Sequence, residues 1–403
     1  MDPYITEWLN LLVRWLHVVA GIAWIGASFY FISLDLGLQR PRDPRDTERG
    51  VAGESWEIHG GGFYRVEKFA VAPETLPERL TWFKWEAYTT WVSGFVLLVV
   101  LYYLNPNTYL IDRSVADVSP FAAVAISLAI LGVGWLAYDG LCRLLEGRDA
   151  WLTVALAVIV ALVAFGASLL FSSRAVYIQV GAMLGTWMVG NVFFVIIPGH
   201  WELVRAKEAG KEPDPKHGLR GKQRSVHNNY LTLPVLFAML SIHFPMTYGH
   251  EQGWLILLAM MAIAAWTRHF FNLRHRGRTV WAIPVSAAAA MVVLFVLMAP
   301  SSSAGPGPSA SEEPVAFATV RSIVEARCQT CHSERPTFSG LTAPPLGVAF
   351  DTPEQILAAA DRIEQMAVLT DAMPLGNVTE MTQEERDTLG AWIRQGARAD
   401  DGE

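Results

Sequence analysis

The feature that most constrains this chain is a series of eight long apolar stretches, near residues 8–34, 81–104, 119–145, 151–171, 175–200, 227–245, 251–273 and 279–299. Each is close to or above the roughly 20 residues that cross a bilayer as a helix. Hydrocarbon offers no water to backbone N–H and C=O groups, so such segments must satisfy them internally. The sequence therefore predicts an all-α, polytopic membrane bundle over residues 1–299. Composition agrees: 52% of the chain is hydrophobic and only 17% is charged, with 15 Trp, a balance rare in soluble domains. The first stretch is too long for a cleaved signal, carries Arg14 and has no small-residue cleavage site behind it.

Basic residues in the short loops give the expected orientation. The 35–80 and 201–224 loops hold seven Lys/Arg each, the 143–148 turn two and the 274–278 turn three, whereas the alternate loops hold only Arg113 and Arg174. The basic loops are therefore expected on the cytoplasmic side, with both termini outside. The net charge of −7, with no basic aromatic-interleaved stripe, gives no support for a nucleic-acid partner. Residues 300–314, PSSSAGPGPSASEEP, read as a flexible linker. A soluble segment over 315–403 follows.

That segment contains Cys328-Gln329-Thr330-Cys331-His332. Two thiols at this spacing add across the vinyl groups of one haem, and the adjacent His332 reaches the iron. The competing reading, a zinc or redox CxxC, lacks a second cysteine pair. The expectation is a class I-like cytochrome c domain. Residues 315–327 and 382–397 should form its flanking helices, the second opened by Thr382 with an acidic first turn. Met373-Pro374 is expected to supply the sixth iron ligand, with Met366 and Met381 as core fillers. His332 and Met373 would then hold the metal in a saturated haem c that passes single electrons. Such a domain matures outside the cytoplasm, where the charge bias independently puts it. The remaining Cys142 reads as a small buried residue.

Polar groups in hydrocarbon are functional candidates by default. His17 lies deep in the first stretch beside Gly21 and Gly26, and reads either as a ligand of a second, b-type haem or as a histidine bonded to a neighbouring helix. His243 shares its outer level. His200, His227 and His269 fall on the opposite side with Glu86, Asp139, Asn228, Asn229 and Asn272. The loop run His59-Gly60-Gly61-Gly62 is either an anion-approach loop or a plain tight turn.

Several segments together resemble the membrane-bound urate hydroxylases: Glu7 to His17, His59-Gly60-Gly61-Gly62-Phe63-Tyr64, Gly190 to Trp201, Asn228 to Pro234, and the haem-motif tail. The resemblance spans nearly the whole chain. It implies a bacterial inner-membrane enzyme with eight membrane helices and a fused cytochrome c, turning urate into 5-hydroxyisourate. Because a saturated haem does not activate oxygen, the inserted oxygen is expected from water. Electrons would leave through a soluble cytochrome or terminal oxidase. The substrate is an anion, so His59, His200, His227 and His269 are candidate bases. Arg65, Arg224 and Arg268 are candidate anion partners, and Asn228 and Asn229 candidate readers of the purine edge. Two other functions fit parts of the sequence. The His17 segment is also similar to the first helix of membrane haem proteins that oxidise porphyrinogens, and the chain could be a membrane-anchored electron-transfer subunit for quinol.

Overall fold

A computed structural model describes residues 3–299, 314–338 and 341–399; the expected linker at 300–314 lies almost wholly outside the described residues. The first helix, α1 (Pro3–Gly37), is followed by a β-hairpin of β1 (Val51–His59) and β2 (Gly62–Phe69). The bundle continues with α2 (Trp85–Leu98), extended by a π-helical turn Val99–Tyr103, then α3 (Pro120–Leu144) and α4 (Asp149–Ser168). After these come α5 (Ser173–Gly190), a π-helical segment Asn191–Ile196 and α6 (Ile197–Glu208), which run on as one rod. The last bundle helices are α7 (Pro215–Leu240), α8 (Gly253–His275) and α9 (Ala282–Leu297).

Among the described residues, six helices are long and apolar enough to cross a membrane: Trp8–Gly37, Trp85–Tyr103, Pro120–Leu144, Asp149–Ser168, Ser173–Glu208 and Gly253–His275. The other two expected crossings differ for physical reasons. The first turns of α7 carry Lys216, Arg220, Lys222 and Arg224, so only its second half is apolar. α9 has 16 residues, about 24 Å at 1.5 Å per residue, short of the roughly 30 Å of hydrocarbon. The outward faces are nevertheless apolar, with Leu11, Trp15, Phe121, Leu136, Trp151 and Phe295 all exposed. A surface of that kind needs an apolar environment.

Inside, Tyr138, Tyr177, Met183, Trp187 and Leu257 form the centre of the core. Small residues let the rods approach. A Cβ on Gly181 would stand 2.8 Å from the Ala238 methyl, and one on Gly134 would stand 3.0 Å from Met183. This is how helices associate where burial itself gives no driving force.

The hairpin corrects the all-α expectation. Its strands pair antiparallel from Val51↔Phe69 to His59↔Gly62. Gly60 (φ 58°) and Gly61 (φ 81°) both adopt the positive φ that a two-residue type I′ turn requires. The glycine run is therefore a tight turn. Arg65 on β2 lies between buried carboxylates, meeting Asp46, Glu54 at 2.6 Å and Glu67 at 3.3 Å. Its guanidinium holds the Asp46 carboxyl below the usual carboxylate range.

Residues 314–399 form a second helical unit with its own core of Val320, Val324, Ile356, Leu389 and Trp392. Its helices include α10 (Phe317–Arg327) and α11 (Gln383–Arg394), close to the expected 315–327 and 382–397. Thr382 is the N-cap that the sequence suggested, and with Glu385 it makes a reciprocal capping box. The loop after residue 366 rests on the bundle end opposite the hairpin. Ala372 joins the bundle core, and Gly376 approaches the Thr108 carbonyl so closely that a Cβ would stand 2.7 Å from it.

Candidate functional site

α7 places Arg224, His227, Asn228 and Asn229 in successive positions, so neighbouring side chains point about 100° apart and serve two neighbours. On the side facing α3 and α5, Asn191 lies where the helix passes into its π-helical segment. Such segments are frequent at functional sites because the extra residue redirects side chains. Asn191 Nδ2 donates to Asn228 Oδ1 (2.8 Å) and to the Tyr138 hydroxyl (2.8 Å). Tyr138 also meets His227 Nδ1 at 2.8 Å. Arg224 donates to Asn191 Oδ1 (3.2 Å) and to Asp139 Oδ1 (2.7 Å), with its guanidinium 5.1 Å from the centre of the Tyr138 ring. Asp139 is shared with Arg143 at 2.7 Å. One carboxylate thus serves two guanidinium groups, the buried Arg224 and the exposed Arg143. A cavity of about 210 Å³ reaches Arg224 from the bundle end.

The other side of α7 faces α1 and α8. Arg268 donates through Nε to Asn229 Oδ1 (3.1 Å) and stands 3.8 Å over the Phe29 ring. It makes no ion pair among the described residues. Three buried atoms here have no hydrogen-bond partner: Arg268 Nη2, Asn229 Nδ2 and Asn272 Oδ1. Two are donors and one is an acceptor. Buried polar atoms are rarely left unsatisfied, so this group is built for something it does not itself contain. Beside it, His269 Nδ1 meets the Tyr230 hydroxyl at 2.6 Å, and the ring stacks on Trp266. Two histidines of the layer, His227 and His269, are therefore each fixed through Nδ1 by a tyrosine.

The opposite end of the bundle contains a larger cavity, about 1080 Å³, running from between α1, α2, α5 and α7 into the 314–399 unit. His17 and His243 both line it, as do Cys328, Cys331, His332 and Met373. The motif residues are brought together by the turn closing α10, where Cys331 and His332 both donate their N–H to the Cys328 carbonyl (3.1 and 2.9 Å). His332 Nδ1 donates to the Val348 carbonyl (2.9 Å). A carbonyl only accepts, so in the neutral ring Nε2 is the bare nitrogen, the state a metal-binding histidine needs. Burial pushes the Cys328 thiol up to about 12 and raises Cys331 as well. No group of three His, Cys, Asp or Glu side chains converges to hold a metal ion among the described residues, as a zinc site would require. Arg386 donates to the carbonyls of Ala367 (2.6 Å) and Met373 (2.8 Å), fixing the Met373 loop. The donors present fit a covalently attached haem. Of the alternatives, Met366 also lines the cavity, while Met381 is buried in the domain core.

Not every sequence candidate belongs to a site. His59 is exposed at the hairpin turn, far in the fold from the buried layer. His200 is an exposed residue of α6 beside Trp82. Arg65 is consumed by its carboxylates. Conversely, Tyr138 and Asn191 were not singled out in the sequence. The one available signal for Tyr138 was the Tyr-Asp pair interrupting the apolar run of α3.

The chain is thus an apolar helical rod bundle with a buried polar layer at one end and a two-thiol, one-histidine cavity at the other. The family comparison is specific: the urate oxidase N-terminal family matches residues 3–299, and the chain belongs to that family. No curated protein and no solved structure matches it.

Proposed function

We propose that the protein oxidises urate at the buried polar layer of α7 and delivers the electrons to a haem c held by the 314–399 unit. The observation that carries this reading is the family membership over residues 3–299. The reaction balances as urate plus water giving 5-hydroxyisourate, two electrons and two protons. Arg268, with Asn229 and Asn272, supplies unpaired donors and an acceptor suited to a planar anion with amide-like edges. The second arginine, Arg224, is held by Asp139 and donates to Asn191, fixing the neighbouring amides. His227 and His269 are the bases this layer offers for the ring proton or the attacking water. His59 and His200 drop out of that role.

At the other end, Cys328 and Cys331 would bind the haem, with His332 and Met373 as axial ligands. A haem so ligated accepts one electron at a time at a raised potential. The bundle would sit in a bacterial inner membrane with the haem domain on the periplasmic side. A soluble cytochrome or terminal oxidase would take the electrons onward. The test is anaerobic addition of urate to the purified full-length protein while the c-haem bands are followed. The expected result is haem reduction without oxygen. A haem that stays oxidised with urate but is reduced by a quinol overturns the assignment.

A further inference from the structure

We propose that the bundle holds a second, non-covalent haem of b type, with His17 as an axial ligand and Arg14 and Arg174 as partners of its propionates. This rests on the electron path just proposed, since substrate and c-haem lie at opposite ends of a bundle spanning about 30 Å of hydrocarbon. The site itself stands on four observations. First, the roughly 1080 Å³ cavity extends from the cysteine motif down between the helices to His17.

Second, His17 is set up as a ligand. Its Nδ1 lies 2.9 Å from the Thr90 carbonyl and 3.2 Å from Ser93 Oγ. The carbonyl can only accept, so Nδ1 carries the proton. In the neutral ring Nε2 is a bare nitrogen, and it has no hydrogen bond to the described residues. His332 shows the same arrangement toward Val348. Third, Gly94 makes room for the ring: a Cβ there would stand 2.8 Å from His17 Cε1. Fourth, the outer part of the cavity carries two cations without an ion pair among the described residues. Arg14 reaches only the neutral Asn10 (3.0 Å), while Arg174 leaves its buried Nε unpartnered. Aromatic walls at Trp91 and Phe95 suit the faces of a macrocycle. Iron ligand deep, apolar walls between and cations toward water is the polarity of haem itself, whose two carboxylates lie on one edge.

In this arrangement His17 would hold the second haem, which would supply a one-electron relay between the polar layer of α7 and the haem held by Cys328, Cys331 and His332. The sum remains two electrons per urate and two one-electron acceptors per chain. His243 lines the same cavity from beyond the end of α7.

The experiment is acid–acetone extraction of the purified full-length protein followed by pyridine haemochrome spectra of both fractions. Covalent haem stays with the protein and non-covalent haem is extracted. The expected result is one extractable b-type haem for each covalent haem. His17→Ala is expected to lose the extractable haem and keep the covalent one. Gly94→Ala, which favours the helix but displaces the His17 ring, is expected to lose or spectrally shift it. Arg174→Gln is expected to lower its midpoint potential or retention without moving the c-haem. Absence of extractable haem in the intact protein, or its full retention with unchanged spectrum in His17→Ala, overturns the site. If urate still reduces the c-haem in that case, only this inference fails. If haem b is present and urate reduces nothing, only the substrate reading fails.

Discussion

Arg386 is the side chain on which the Met373 loop depends, and replacing it with methionine gives a quantitative expectation. The residue is buried, and its Nη1 donates to the carbonyls of Ala367 at 2.6 Å and Met373 at 2.8 Å. Its only carboxylate neighbour, Asp371, is 3.7 Å away and exposed, so that pair contributes little. Hydrogen bonds from a charged donor are worth about 1.5–3 kcal/mol each. Losing both removes about 3–6 kcal/mol and leaves two carbonyls to find water. At roughly 0.05–0.15 kcal/mol per residue, a unit of this size has a total stability of about 4–13 kcal/mol, so the loss is a large share of it. Arg386→Met is therefore expected to lower the melting temperature of the 314–399 unit sharply and, on the proposed ligation, to free Met373 from the iron. The thioether bonds do not depend on Arg386, so haem content should be unchanged. Thermal melts followed at the haem bands, with the ferric sulfur-to-iron absorption and the midpoint potential, read out both effects. His/Met ligation raises the potential, so its loss should lower it. Arg386→Lys, a point donor unable to span both carbonyls, should fall between. An Arg386→Met protein with wild-type melting and intact methionine ligation refutes the reasoning.

Further expectations concern other parts of the chain. Arg268→Gln should raise the KM for urate roughly ten- to hundredfold, the worth of one charged hydrogen bond, with the c-haem spectrum intact. Of His227→Gln and His269→Gln, the one that removes the base should lower kcat about a hundredfold or more; wild-type kcat in both would rule out the layer as the catalytic site. In the haem unit, burial raises the Glu385 pKa, but the Thr382 N–H and the Arg327 guanidinium outweigh it and the net shift is downward. Its contribution to stability is therefore present above the ordinary carboxylate range and is lost as pH falls through the lowered value. Glu385→Gln should flatten the acid limb of a melting-temperature profile, and an unchanged limb would count against this. Arg65→Met should lower the melting temperature by stranding Asp46 and Glu54, whereas His59→Ala at the hairpin turn should change neither stability nor urate turnover.

Much of the architecture was legible because the physics that imposes it is local. Apolar length alone marks α1, α3, α4 and α8. The capping box at Thr382 is visible as four consecutive residues. What was not legible depends on contacts distant in sequence or on competing local signals. The hairpin competes with a second local signal, since the basic residues of its loop also report topology. Alternation over Val51–His59 is the better signal, and the carboxylates that hold Arg65 stand within twenty residues of it. Tyr138 and Asn191 acquire meaning only when α3, α5 and α7 meet, since nothing near either residue in sequence announces the partner.

The two ends of the bundle also solve the same problem in opposite ways. At the α7 layer the helices leave Arg268, Asn229 and Asn272 with unmet hydrogen bonds, so free energy is held in reserve for a polar guest. At the outer cavity the walls are apolar, and the polar groups, His17 and His332, have their Nδ1 atoms already committed to carbonyls. An anion gains most from the first environment, where charge is unpaired and water is excluded. A macrocycle gains most from the second, where flat apolar faces are buried and a single fixed nitrogen meets the iron. On the proposed function, chemistry on a polar substrate and storage of single electrons would thus be separated by the construction of the bundle. The loop after Met373 docks through Gly376 onto the Thr108 and Ile111 carbonyls, which would keep the proposed electron exit within reach of the interior cavity.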